Sequence, residues 1–201
     1  MDELTHDPDL DIVRLAQRRA TRRTAMGVLY ERFRDRIFNI GYRIVGNEED
    51  ARDVLQDVFV LLFRKIHRFR ARARFASWIY RVTVNLSLDR LRRKRNSPVL
   101  AVSSDLLESS ARELLLSAPE HHAGLRDLEE HVQKALQTLS PRLRAVTVLR
   151  YIQGLSYQEI GEVMECSLGT VKSRLNRAHA RMKLALGPLY AADAYEVPSP
   201  E

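Results

Sequence analysis

Two short stretches concentrate side chains able to grip a polyanion. Phe69 to Trp78 reads FRARARFASW and sets Arg70, Arg72 and Arg74 on alternate positions between two phenylalanines. Further on, LGTVKSRLNRAHAR collects Thr170, Lys172, Ser173, Arg174, Asn176, Arg177 and Arg181 within one short run. Guanidinium, ammonium, hydroxyl and amide groups donate to phosphate oxygens and base edges, and aromatic rings stack on unpaired bases. The groups that bond-breaking chemistry needs are not gathered in the same way. No nucleophile–base pair, metal-ligand cluster or phosphate-cradling glycine loop stands out. His121 and His122 fall in a Ser- and Pro-rich stretch and read as solvated rather than as ligands. The single cysteine, Cys166, has no Cys or His partner at ligand spacing and reads as a small structural thiol. A binding protein is expected, not an enzyme, with no metal and no cofactor.

The charge distribution points to the same class. The 201 residues carry a net +7, but through Ser97 there are 22 basic against 13 acidic residues, a net +9. The remainder is slightly acidic, at −2. An excess concentrated in one half suggests a polyanionic partner, most often nucleic acid. The acidic start MDELTHDPDLD has no apolar core and does not read as a secretory signal. No apolar run approaches the ~20 residues of a membrane span, and one cysteine cannot form an intrachain disulfide. A cytoplasmic protein without membrane insertion is expected.

Helices must position both stretches. Ile12, Leu15 and Ala16, then Met26, Leu29, Phe33, Ile37, Ile40 and Ile44, recur at helical spacing and predict two helices, the second stopped near Gly46. Asn47 is a candidate N-cap, followed by Glu48, Glu49 and Asp50 in the turn where the helix dipole favours negative charge. The next helix carries an apolar stripe of Ala51, Leu55, Val58, Leu62, Ile66 and Phe69. Opposite it lies an exposed acidic stripe that includes Asp50, Asp53 and Asp57. FRARARF alternates as a half-buried strand would, yet it sits between two helices and reads as a loop. The following helix, from about Ala76 to Arg95, should turn Trp78, Ile79, Val82, Leu86 and Leu91 inward. Residues 97–124 read as a linker, with a transient helix over 106–116.

The second helical unit is the more sharply punctuated. Ser140-Pro141 offers an N-cap and a proline at the first helical position, Gly154 suits a C-terminal stop, and Ser156-Tyr-Gln-Glu159 fits a capping box. A short helix, 157–164, then a turn, Glu165-Cys166-Ser167, then a longer helix, 168–184, have helix-turn-helix spacing. Gly161 supplies the small residue that a close crossing requires. Val171, Leu175, Ala178 and Met182 face inward, which leaves the donor-rich face outward. Gly187-Pro188 is expected to end the last helix. The fold class is therefore all-α, two small helical domains joined by a flexible linker, the second a helix-turn-helix.

EEDARDVLQDVF, FRARARFASWIYRVTVNLSLDRLRRKRN and LSYQEIGEVMECSLGTVKSRLNRAHARMK together resemble bacterial sigma factors of the extracytoplasmic-function (ECF) group. The resemblance implies region 2 over 10–96, a linker over 97–124 and region 4 over 125–188. It implies recruitment of core RNA polymerase to promoters, with Asp53, Gln56 and Asp57 meeting the β′ clamp. For the −10 strand it implies the 69–75 loop (Phe69, Arg70, Arg72, Arg74, Phe75), with Asn85, Arg92 and Arg93. Arg90, Lys94 and Arg95 would extend the basic end. For the −35 duplex it implies Ser167, Gly169, Thr170, Lys172, Ser173, Asn176 and Arg177. Lys172 stands where relatives often have arginine, and relatives often carry Gly, Asp or Ser where Ala71 to Arg74 lie here. An anti-sigma protein is a further partner of many relatives. The rival readings are a dimeric stand-alone helix-turn-helix regulator, which would bind two half-sites tightly by itself, and an adaptor that binds only proteins.

Overall fold

The computed structural model describes residues 7–71, 74–96 and 125–192, and every regular element among them is helical. The first group comprises α1 (Leu10–Gln17), α2 (Arg22–Val45), α3 (Glu48–Lys65) with a 3-10 turn at Ile66–Arg68, and α4 (Phe75–Arg95). The second comprises α5 (Leu125–Gln137), α6 (Pro141–Thr147) running into a π turn at Val148–Ile152, α7 (Tyr157–Met164) and α8 (Leu168–Ala192). The expected helix over 106–116 lies outside the described residues.

The punctuation read from the sequence explains most boundaries. Gly46 adopts a left-handed φ of 93°, and its N–H bonds the Tyr42 carbonyl, so α2 ends there without steric cost. Asn47 accepts from the Asp50 N–H and starts α3. Ser156 and Glu159 form the reciprocal capping box of α7. Ser140 makes no side-chain cap, and Pro141 alone marks the start of α6. One boundary differs from expectation, because α8 continues past Gly187-Pro188 to Ala192. Pro188 removes a single N–H donor, and the Leu184 carbonyl it would have served belongs to a residue 78% exposed, where water can replace it.

The first core is a three-helix contact. Leu29, Phe33, Ile37, Ile40 and Ile44 of α2 are fully buried against Ala51, Val54, Val58 and Leu62 of α3. Burial of each large side chain contributes roughly 1.5–3 kcal/mol. The face of α4 that meets them is Phe75, Ile79, Thr83 and Ser87, one residue per turn. Of the inward set expected from apolar spacing, only Ile79 is fully buried, whereas Trp78, Val82, Leu86 and Leu91 flank the core half-buried. Small hydroxyl residues fit a close crossing, and their polarity is neutralised locally. Thr83 donates to the Ile79 carbonyl at 2.9 Å and Ser87 to the Thr83 carbonyl at 2.8 Å.

The two helical groups pack on one another and share a continuous apolar core. The last carbonyls of α2, which a helix end leaves without partners, receive side chains from α5 and α6. Gln133 donates to the Tyr42 carbonyl, Gln137 to that of Arg43, and Arg144 to that of Ile44. Arg144 also serves the carbonyls of Leu136, Gln137 and Leu139. Its burial lowers the guanidinium pKa to about 10, so it stays charged at neutral pH. Arg43 adds an ion pair with Glu129 and a hydrogen bond to Gln133.

Candidate nucleic-acid interface

The arginine loop is fastened at both ends by residues that carried no sequence signal. Gln17, at the end of α1, donates to the carbonyls of Ile66 and Phe69 at 3.1 and 2.9 Å. At the far end Asp7 accepts from the Phe75 N–H at 2.7 Å, placing a carboxylate at the positive N-terminus of α4. Arg70 and Arg74 are exposed between these anchors, whereas Arg72 lies outside the described residues. Phe75 is a correction to the expected strand-binding set. It is fully buried, packs against Phe33, Phe69 and Trp78, and has no ring surface to offer a base. Phe69 is half-buried and edge-on to Trp78 at 5.6 Å, so it keeps part of its ring at the surface.

Along α4, Arg74, Trp78, Arg81 and Asn85 recur at helical spacing on one side, and Asn85 is exposed. At the basic end Arg92 and Arg93 are exposed, Arg92 beside Asp89 at 3.2 Å. Arg90 and Lys94 are not free to follow phosphates. Both are tied to Asp50, Arg90 through its Nε at 2.6 Å, and Arg90 also pairs with Asp53. Asp50 was expected on an exposed acidic stripe but is buried. Burial opposes its ionisation, yet hydrogen bonds from Lys94, Asn47 and Arg90 outweigh that and hold its pKa at about 2. The carboxylate clamps the start of α3 to the end of α4.

Of the residues expected to meet a protein partner, Gln56 and Asp57 are exposed, while Asp53 is half-buried against Arg90. Gln56 lines an open, mostly apolar groove of about 640 Å³ between α2 and α3. Its walls include Tyr30, Phe59, Val60 and Phe63, and the Tyr30 and Phe59 rings lie 4.8 Å apart. Val60 and Phe63 are 41% and 51% exposed, too apolar for ordinary solvated surface at such a density. The run VFVLLF at 58–63 carried the signal, since a helix burying one face cannot cover six consecutive apolar residues.

In the second group α7 and α8 form the expected helix-turn-helix. A Cβ on Gly161 would stand 3.0 Å from the Cys166 carbonyl, so the turn closes directly over the glycine. Val171, Leu175 and Ala178 are buried. Ser167 caps α8 by accepting from the Thr170 N–H at 3.2 Å, and Thr170 is half-buried beside it. Gly169, Lys172, Ser173, Asn176 and Arg177 are exposed together. Arg174 turns aside to the Cys166 thiol at 3.5 Å. Among the described residues no cluster of three or more His, Cys, Asp or Glu could hold a metal ion.

Comparison with known proteins accounts for both groups. Residues 29–97 match the family model for sigma-70 region 2, and residues 129–182 match that for sigma-70 region 4. RNA polymerase sigma-H factor of Pseudomonas aeruginosa is 34% identical over 191 residues, covering 92% of this chain and 97% of that protein. The ECF RNA polymerase sigma factor SigW of Bacillus subtilis is 31% identical, over 78% of this chain and 86% of that one. The chain belongs to the ECF sigma factors. The solved structure of CnrH in complex with the cytosolic domain of CnrY matches 92% of this sigma factor and 99% of its own chain, with a TM-score of 0.65 at 23% identity. That likeness supports the all-α fold. Sigma factors are transcription initiation factors rather than catalysts. No helix among the described residues is long and apolar enough to cross a membrane.

Proposed function

We propose that this sigma factor divides its work between the two helical groups, residues 10–96 acting as region 2 and 125–188 as region 4, with 97–124 as the connection. In this reading α8 enters the major groove of the −35 duplex by its N-terminal half. Ser167 orients that end, while Lys172, Ser173, Asn176 and Arg177 face base edges and phosphates. Gly169 lets the backbone approach, and Thr170 steadies the cap. Lys172 contributes a point charge, not the bidentate fork of an arginine. The observation that carries the reading is the joint exposure of these donors on one capped helix face.

Region 2 takes the −10 strand. Arg70, Arg72 and Arg74 hold displaced backbone phosphates, Phe69 offers a stacking edge, and Asn85 reads a flipped base. Flipping costs a few kcal/mol of unstacking, which stacking and polar contacts offset. Arg92 and Arg93 follow the backbone beyond it. The α2–α3 groove, lined in part by Gln56, receives the β′ clamp of core polymerase, with Asp53 and Asp57 contributing from the same helix. An anti-sigma protein is a further partner expected of the family.

The division is tested by separating the two DNA steps. Lys172→Ala/Arg177→Ala should abolish protection of the −35 duplex by the holoenzyme while leaving opening of a pre-melted −10 template. Equal loss in both assays would refute the assignment of α8.

A further inference from the structure

We propose that α1 is a strut that sets the spacing of the two ends of the −10 loop, which makes Asp7 and Gln17 positioning residues for base selection on the strand. The inference rests on the placing of the −10 strand at that loop, and adds to it what holds the loop in its binding geometry.

The start of α4 is capped in an unusual way. Its N-cap position is Arg74, which makes no side-chain cap and sets a cation at the positive end of the helix. An acidic or hydroxyl residue is ordinarily favoured there. The missing acceptor comes from 68 residues away, where Asp7 Oδ2 takes the Phe75 N–H at 2.7 Å. The other oxygen of the same carboxylate accepts from the Asp9 N–H at 3.0 Å, so Asp7 joins the start of α1 to the start of α4. With capping moved to Asp7, position 74 is released to carry an exposed guanidinium.

The opposite end of α1 holds the opposite end of the loop. The Gln17 amide donates to the carbonyls of Ile66 and Phe69 at 3.1 and 2.9 Å. Arg22 fixes that end of α1 in turn, donating to the carbonyls of Ala16 and Gln17 at 3.2 and 3.3 Å. Between the two ends α1 is seated on α2, with Val13 and Ala16 buried and Asp9 paired with Arg32 at 2.8 Å.

The lengths decide which part yields. Asp7 to Gln17, wound as a turn and a helix, is roughly 15 Å long at 1.5 Å per residue. The six steps from Phe69 to Phe75 could reach about 20 Å when extended, or fold to much less. A seated helix is the stiffer of the two, so α1 sets the separation and the loop bows to fit it. Phe69, Arg70 and Arg74 then stand in one arrangement before a strand arrives, and selection of one base over another depends on such preorganisation. Because both anchors act through one helix, losing either releases the spacing.

The test is the base preference of the holoenzyme for a short labelled −10 single strand. Anisotropy compares the preferred base with a substituted one at the most selective position. Asp7→Ala and Gln17→Ala should each lower that ratio about fivefold, the equivalent of one net hydrogen bond. The double variant should fall no more than about twofold further, whereas independent contacts would multiply to about 25-fold. Asp7→Asn, which keeps an acceptor for the Phe75 N–H, should lose about twofold or less. Protection of the −35 duplex should stay intact throughout. An unchanged ratio in both alanine variants, or a multiplied loss in the double, would overturn the strut. A loss in Asp7→Asn equal to that in Asp7→Ala would overturn the role of the hydrogen bond. Arg70→Ala/Arg74→Ala reports separately on the placing of the strand. Unchanged strand affinity in that variant would overturn the placing and the strut with it. Weakened affinity there, with intact ratios in the α1 variants, would overturn the strut alone.

Discussion

Replacing Asp50 by asparagine probes the clamp that fixes α4 against α3. The carboxyl falls from the ordinary 3.8 to about 2 because Lys94, Asn47 and Arg90 all donate to it inside a buried site. A folded-state pKa below the unfolded one adds stability above the unfolded value, and that stability is lost as pH falls toward the folded one. The gap is worth about 2 kcal/mol at neutral pH and about 1 kcal/mol at pH 3. Asparagine keeps the shape but cannot ionise, and it leaves two cations without their shared anion. Urea unfolding followed by far-UV circular dichroism should therefore show Asp50→Asn less stable than wild type by about 2 kcal/mol or more at pH 7. That difference should shrink by about 1 kcal/mol at pH 3. An equal difference at both pH values would refute the reasoning, because the residue's role would then not depend on its charge.

Gly161→Val would press a branched side chain against the Cys166 carbonyl, and should cost about 1–3 kcal/mol in thermal unfolding while weakening −35 duplex binding. Phe75→Ala should cost about 3–5 kcal/mol by chemical denaturation, as expected of a core ring and not of a surface base contact. Arg72→Ala/Arg74→Ala should slow promoter opening more than it weakens −35 binding, measured by permanganate reactivity and duplex protection on the same template.

Periodicity and caps made the helices legible. Gly46, Asn47 and the Ser156–Glu159 box each carry a local mechanism, and each marks a boundary where it was expected. Pro188 misled because the cost of one lost donor is small where water reaches the carbonyl. Long-range pairings were invisible to local pattern. Nothing in the sequence joins Asp7 to Phe75 or Gln17 to Phe69, since these bonds depend on how α1 folds back over the loop. Asp50 was misplaced for the same reason, because its cations stand 40 and 44 residues away on another helix. The inner face of α4 was misjudged because apolar spacing ignores threonine and serine, which can be buried when their own helix accepts the hydroxyl. The donor-rich face of α8 was readable because its exposure follows from the register of one helix alone.

The most direct test of the account is promoter-dependent run-off transcription with bacterial core RNA polymerase. Wild-type protein should give a discrete transcript from a matching promoter. None should come from Asp57→Arg/Phe63→Ser, which alters only exposed residues of α3, Phe63 in the groove itself, and should unfold like wild type. No wild-type transcript above core enzyme alone, or full transcription by the folded variant, would contradict it.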